Sequence, residues 1–437
     1  MARGKKKESA LTPEEKLAQA LVPDWEQPYK IPKNWCWIRQ NSICSLSDGE
    51  KNINELFPYW EVKALRGTKE LQYVSAGKFV YQGSKVILVD GENSGEVFDI
   101  PADGYMGSTF KALQISPTVH WDYLRFFIST KQELYRNNKK GSAIPHLNKE
   151  LFFNMPLPLA PISEQQRIVD RIEYLFAKLD EAKEKAQSVL DSFETRKAAI
   201  LHKAFTGELT AKWRAEHGVY VHPGNYPLVE VYNFIDYRGV TPDKTDSGVP
   251  LITAKNIKKG YIDYRVSEYI SHETYLQRLG RGIARRNDLL FTTEAPLGNV
   301  ALADQDTYST AQRVIVLQLR EEFLNKVNNK YVMYYMLDEK FQTQLQDQKT
   351  GSTVAGIKAA KLKLIPIVLP SADEQEEVVR ILDSLFAKEQ QAKEAAEAVL
   401  EKIDLLKKSI LARAFRGELG TNYPAEESAL ELLKTIL

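Results

Sequence analysis

Pro161-Ile162-Ser163-Glu164-Gln165-Gln166-Arg167-Ile168-Val169 opens a stretch that runs through Leu175-Phe176-Ala177-Lys178 and closes on Ala204-Phe205-Thr206-Gly207-Glu208-Leu209. It returns without a gap as Ser371 to Leu419, where 21 of 49 aligned pairs are identical at a shift of 210 positions. A period this long excludes a solenoid and marks the chain as two copies of one unit. In the first copy Ile168, Ile172, Leu175, Leu179, Ala182, Ala186, Val189 and Phe193 alternate by four and three. In the second, Val378, Leu382, Leu385, Glu389, Ala392, Ala396, Val399, Ile403, Leu406 and Ile410 keep that spacing, with one polar lapse at Glu389. An apolar period of 3.5 held over several heptads predicts a long helix with a coiled-coil seam.

The ends of both helices are marked. Ser163 with Gln166 and Asp373 with Glu376 fit capping boxes, and Pro161 and Pro370 bar an earlier start. Gly207 and Gly417 supply C-terminal caps. Each helix would span roughly 65 Å. The cheapest partner for each seam is the other copy, packed antiparallel. Ile168, Ile172, Leu175, Leu179 and Val189 would then face Val378, Leu382, Leu385, Val399 and Ile403. The competing reading is a pair of core helices in one large α-domain. It fits less well because the seam is narrow and the other faces are charged.

Residues outside the helices hold most of the Trp, Tyr, Gly and Pro. They contain strand-type runs at Lys85–Val89, Asp288–Thr292 and Arg313–Leu317. Helix-like stretches at Tyr123–Asn138 and Tyr331–Gln348 precede Gly141-Ser142 and Gly351-Ser352, again 210 apart. The expected fold is mixed α/β: two globular domains separated by two long antiparallel coiled-coil helices, with pseudo-two-fold symmetry. The expected segments are a helical one at 1–28, a globule at 29–160, a helical region at 161–216, a second globule at 217–369, and a distal helical region at 370–437. Thr12-Pro13-Glu14-Glu15 would cap a short helix that packs near another at Ala425–Leu437.

A net charge of +1 over 437 residues gives no global pull on a polyanion, so any nucleic-acid surface must come from local charge segregation. Two cysteines, Cys36 and Cys44, fit a reducing cytoplasm. No apolar run approaches the ~20 residues of a membrane span, and the basic N-terminus lacks the apolar stretch of a signal peptide.

Catalytic signatures are missing: no phosphate loop, no dinucleotide fingerprint, no zinc spacing and no methyltransferase tetrapeptide. No metal site is expected. Binding chemistry is better represented. The first globule offers Lys63, Arg66, Ser108, Lys111, Lys140, Ser142 and His146; the second offers Lys255, Asn256, Lys258, Arg285, Arg313, Ser352 and Lys358. Lys and Arg neutralise phosphates, while Arg, Asn and Gln can pair with base edges.

At these motifs the chain resembles the specificity subunit of a type I restriction–modification system. The residues that carry the resemblance are Pro161–Val169, Ala204–Leu209 and their second copies, with Tyr105–Leu113, Ser309–Val314 and Gly298-Asn299-Val300. The resemblance covers nearly the whole length. It implies a non-catalytic, DNA-binding subunit whose two target-recognition domains each read half of an interrupted double-stranded site. It also implies that helix length sets the gap between half-sites. Two modification (methyltransferase) subunits would bring S-adenosylmethionine, and restriction subunits would bring ATP and Mg2+; this chain would bind no cofactor itself. The alternative is an architectural coiled-coil adaptor whose globules bind proteins.

Overall fold

The computed structural model describes residues 12–51, 55–141, 145–219, 223–237, 241–350 and 356–436. The chain folds as two compact units. One comprises residues up to 186 with 398–437, and the other residues 187–397.

Each unit contains a four-stranded antiparallel sheet of the same strand order. In the first it runs Cys44–Ser47, Phe110–Ile115, Lys85–Leu88, Val97–Asp99; in the second, Tyr232–Asp236, Val314–Leu319, Leu289–Thr292, Val300–Leu302. The register repeats as well. Phe110 pairs with Leu88 and Ala112 with Val86; 204 residues later Val314 pairs with Thr292 and Val316 with Leu290. A second sheet in each unit contains a parallel pair, Phe57–Trp60 beside Gly104–Met106 and Val249–Ile252 beside Ser309–Thr310.

The shift grows from 204 to 210 between sheet and long helix. Part of this comes before the globular helix, which is capped by His120 in one unit and Asn328 in the other. The rest lies within it. Trp121–Asn137 is continuous, whereas its counterpart divides into Asn329–Leu337 and Glu339–Asp347 at Asp338, whose carboxylate accepts the Lys340 N–H at 3.1 Å.

The repeated helices differ too. Ala372–Ala414 is unbroken, but the first copy divides into Ile162–Asp191 and Phe193–Phe205. The cause is Ser192. Its hydroxyl donates to the Ser188 carbonyl at 2.5 Å, and Arg196 Nη2 takes the Val189 carbonyl at 3.2 Å, the acceptor Phe193 would otherwise use. The starts are corrected as well. Glu374 N–H bonds the Ser371 hydroxyl at 3.3 Å, so Ser371, not Asp373, is the N-cap. Ser163 lies inside its helix and donates to Glu426 Oε1 at 3.0 Å. The C-caps stand as expected, with Gly207 at φ 82° and Gly417 at φ 73°. A Cβ on Gly417 would meet Pro32 Cγ at 2.4 Å, so glycine is required there twice over.

The seam is only partly the one expected. Ile168 and Ile172 are sunk in the core of the first unit, with Leu124, Phe127 and Phe415. Val378 and Leu382 are sunk in that of the second, with Leu289, Phe291 and Met336. Leu175, Leu179, Val189 and Leu385 are half-buried and Ile403 is buried, but Val399 is 39 % exposed and Leu406 47 %. A helix of 3.6 residues per turn drifts off a strict 3.5 repeat. After Glu389 the inward positions are therefore Lys393, Ala396, Leu400 and Ile403, one residue later than the heptad count at two of them.

Helix–helix contact is antiparallel in each unit. Phe176 lies beneath Lys407 (5.1 Å to the ring centre) and Asp180 pairs with that lysine at 2.6 Å. In the other unit Phe193 lies beneath Lys393 (5.0 Å) and Arg196 pairs with Glu389 at 2.8 Å. The expected terminal pair is present: Thr12 and Glu15 form a reciprocal capping box on Pro13–Ala20, and Ala20 joins one core with Ala429 and Leu433 of the last helix.

Candidate nucleic-acid interface

The duplicated Glu-Gln pair is not surface chemistry; it builds the platform. Gln165 accepts the N–H of the helix cap His120 at 2.9 Å and donates to the Ala160 carbonyl at 2.8 Å. Gln375 accepts the N–H of Asn328 at 2.9 Å and donates to Pro370 at 2.9 Å. The preceding glutamates grip the segment that follows the other helix's C-cap. Glu164, fully buried, accepts from Trp35 Nε1 at 2.7 Å and Asn422 Nδ2 at 2.8 Å. Glu374 accepts from Thr210 at 2.7 Å and Arg214 at 2.6 Å. Sequence spacing showed the repeat of these residues but not their burial; the glutamates' partners lie more than 120 positions away.

The two sheets carry a matching pair of turns at the starts of the inner strands Phe110–Ile115 and Val314–Leu319. In the first unit Gly107 N–H bonds the Trp60 carbonyl, Phe110 N–H bonds Gly107, and Val89 N–H bonds Thr109, at 2.9, 3.0 and 2.8 Å. In the second, Ala311 bonds Ile252, Val314 bonds Ala311, and Thr293 bonds Arg313, at 2.9, 3.0 and 2.9 Å. The backbone is the same; the two side chains it presents are Ser108 and Thr109 in one copy, Gln312 and Arg313 in the other. Beside each turn a bridge is repeated, Asp90 with His146 and Glu294 with Gly356.

Several expected binding residues surround these turns. In the first unit His146 Nδ1 lies 2.6 Å from Asp90 Oδ1, and Lys140 pairs with Glu150 at 3.1 Å. Lys111 pairs with Asp48 at 2.5 Å. Hydrogen bonds from Lys111 and then Lys78 hold the Asp48 carboxyl down to about 2, so that cationic edge already carries its own counter-charge. Ser108 and Lys63 are exposed, and Arg66 is paired with Glu96. In the second unit Lys255 and Arg313 line one groove of about 220 Å³ with Gln312, Thr253 and Lys244. Arg285 and Lys358 are exposed outside the lining of this groove. Ser142 and Ser352 lie outside the described residues.

One expectation is corrected. Asn256 is buried: its oxygen accepts from Thr253 N–H (2.9 Å) and hydroxyl (2.8 Å), and its amide donates to Asp263 and Val266 carbonyls at 2.9 and 2.7 Å. With its bonding capacity used, it braces a loop and reaches no base. Lys258 is half-buried and gives one of its three donors to the Lys255 carbonyl at 2.7 Å, which keeps its charge available. Arg278, one of the basic residues of this globule, is also buried, bonded to Ser309 and the Thr310 carbonyl at 3.0 and 2.7 Å. Gln312 stands beside the expected Arg313, and the two are exposed between the buried Thr310 and Val314.

Comparison with known proteins adds to this geometry. A family model described as the type I restriction modification DNA specificity domain matches residues 32–190 and again 232–402. The chain belongs to the type I restriction–modification specificity family. Each match joins a globule to the long helix that follows it, the unit read from the 210-residue shift. Relatives of the specificity family include the type I restriction enzyme EcoBI specificity subunit of Escherichia coli, 27 % identical over 92 % of this chain and 89 % of that protein. The MjaVIII specificity subunit of Methanocaldococcus jannaschii is 22 % identical over 86 % and 92 %. The fold is similar to the crystal structure of the HsdS subunit from Thermoanaerobacter tengcongensis (TM-score 0.65, 20 % identity, 90 % of this chain and 99 % of that one). A chain from a study of complex assembly in a type I R-M system gives a TM-score of 0.62 at 20 % identity, covering 90 % of this chain and 100 % of its own. Among the described residues no helix is long and apolar enough to cross a membrane, and no group of three or more His, Cys, Asp or Glu could hold a metal ion.

Proposed function

We propose that this specificity subunit reads a bipartite double-stranded DNA site, one half per recognition domain, and serves as the non-catalytic scaffold on which two modification subunits and the restriction subunits assemble in the cytoplasm. The recognition domains comprise 29–160 and 217–369. S-adenosylmethionine is held by the modification subunits, and ATP with Mg2+ by the restriction subunits. One observation carries this reading: two turns with the same backbone hydrogen bonds present different side chains, Ser108-Thr109 against Gln312-Arg313. A constant frame with variable exposed tips suits two readers of different sequences. A structural adaptor would have no need to keep one backbone turn while changing the side chains exposed on it.

The test is to co-express the chain with its modification subunits in a methylation-free host and map methylated bases across the genome. The expected result is one interrupted motif with two unlike halves. Methylation without a bipartite motif, or none at all despite an assembled complex, would sink the proposal.

A further inference from the structure

The Gln312-Arg313 turn is built as a purine reader, and we infer that Arg313, positioned by Glu294, specifies a guanine in the half-site read by the second unit. This rests on the DNA-reading function proposed above and names the residue and the base class at that site.

The turn is rigid where it needs to be. Thr310 and Val314 are fully buried on either side, and the Arg313 carbonyl accepts both the N–H and the hydroxyl of Thr293, at 2.9 and 3.2 Å. The Arg313 Cα is therefore fixed, while its side chain stands about half exposed. Glu294 Oε1 meets Arg313 Nε at 3.2 Å. That contact uses the inner edge of the guanidinium and leaves both terminal amino groups without a partner among the described residues. A guanidinium held this way presents two parallel N–H donors. Guanine offers the matching pair of acceptors, O6 and N7, in the major groove. Gln312, one residue earlier, has the donor and acceptor that adenine N7 and N6 require.

The surroundings supply the remaining parts of a groove contact. Lys255, exposed on the same groove, is suited to a phosphate. Lys244 is neutralised by Glu268 at 2.8 Å and adds less. Ala295 and Ala311 line the groove with small side chains that leave room for a base edge. In the first unit the same backbone carries Thr109, which has one hydroxyl and cannot form a fork, and the acidic partner Asp90 is turned to His146 instead. The asymmetry assigns the guanine to one half-site only.

The experiment compares wild-type chain with Arg313→Ala, Glu294→Gln and Lys255→Ala, each assembled with the modification subunits, by methylome mapping and by binding to a duplex series varied at every position. Arg313→Ala should relax a single G·C position of one half-site, cutting discrimination there about 5- to 150-fold, the worth of a bidentate pair, with the other half-site unchanged. Glu294→Gln should relax the same position less, because it only orients the fork. Lys255→Ala should weaken all sequences equally and lower the salt dependence by about one counterion. If Arg313→Ala leaves every base of the motif as strictly read as before, or weakens all positions evenly, the inference is overturned while the bipartite motif itself still stands. If no bipartite motif exists in wild type, the underlying function fails instead.

Discussion

Replacing Glu164 by alanine should loosen the first unit far more than any surface charge would. The carboxylate is fully buried and its Oε2 accepts two short bonds, from Trp35 Nε1 at 2.7 Å and Asn422 Nδ2 at 2.8 Å, while Thr421 lies 3.4 Å from Oε1. Bonds to a charged acceptor contribute about 1.5–3 kcal/mol each, and truncation leaves the Trp35 N–H buried without a partner. The expected loss is about 3–5 kcal/mol, or roughly 6–15 °C in Tm for a unit of this size. Glu164→Gln separates bonding from burial. Its amide oxygen can take the place of Oε2 and keep both donors, with the amide nitrogen turned to the Thr421 hydroxyl. Neutral bonds are about half as strong, so its cost should be only about 1–2 kcal/mol. Urea unfolding of the full chain, followed by tryptophan fluorescence and calorimetry, gives both values. A Glu164→Ala chain within about 1 kcal/mol of wild type, or a Gln variant as damaged as the Ala variant, would refute the argument that this hydrogen-bond set joins the start of one long helix to the segment beyond the end of the other.

Burial raises the Asp288 carboxyl to about 6, with bonds from the Arg285 N–H and Gln318 only partly offsetting it. The folded state therefore binds a proton between about pH 4 and 6 that the unfolded chain has released, so this group's contribution falls as pH rises through that window. Asp288→Asn should flatten that slope and raise the unfolding free energy at pH 8 by about 1–2 kcal/mol, read from urea titrations at both pH values. Ser192→Ala should remove the hydroxyl that holds Arg196 over the Val189 carbonyl, extend helix across the break and stabilise by about 0.5 kcal/mol, seen as a gain in 222 nm ellipticity and a small rise in Tm. Gln375→Ala should expose the unmet N–H of Asn328 and cost about 2 kcal/mol, measured in the same unfolding assay.

Sequence alone carried the duplication, the extent of both helical copies though not the break at Ser192, the C-terminal glycine caps and the strands at Lys85, Leu289 and Val314, because these are set by short-range periodicity and by residues with special backbone freedom. It carried the family for the same reason: the Glu-Gln and Ala-Phe-x-Gly-Glu-Leu signatures are local. It placed Val399 on the seam because a heptad count assumes a 3.5 period, while an α-helix without strong supercoiling turns every 3.6 residues. It placed Asn256 at the DNA because a polar side chain in a basic run looks the same whether it faces solvent or is bonded to four backbone and hydroxyl groups. Only the tertiary structure revealed that the globules share one backbone frame at a shift of 204, since sheet pairing depends on main-chain hydrogen bonds that leave side chains free to diverge. For the same reason Gln312 and Arg313 could be told from other exposed polar residues only once the turn beneath them was seen to match the turn beneath Ser108 and Thr109.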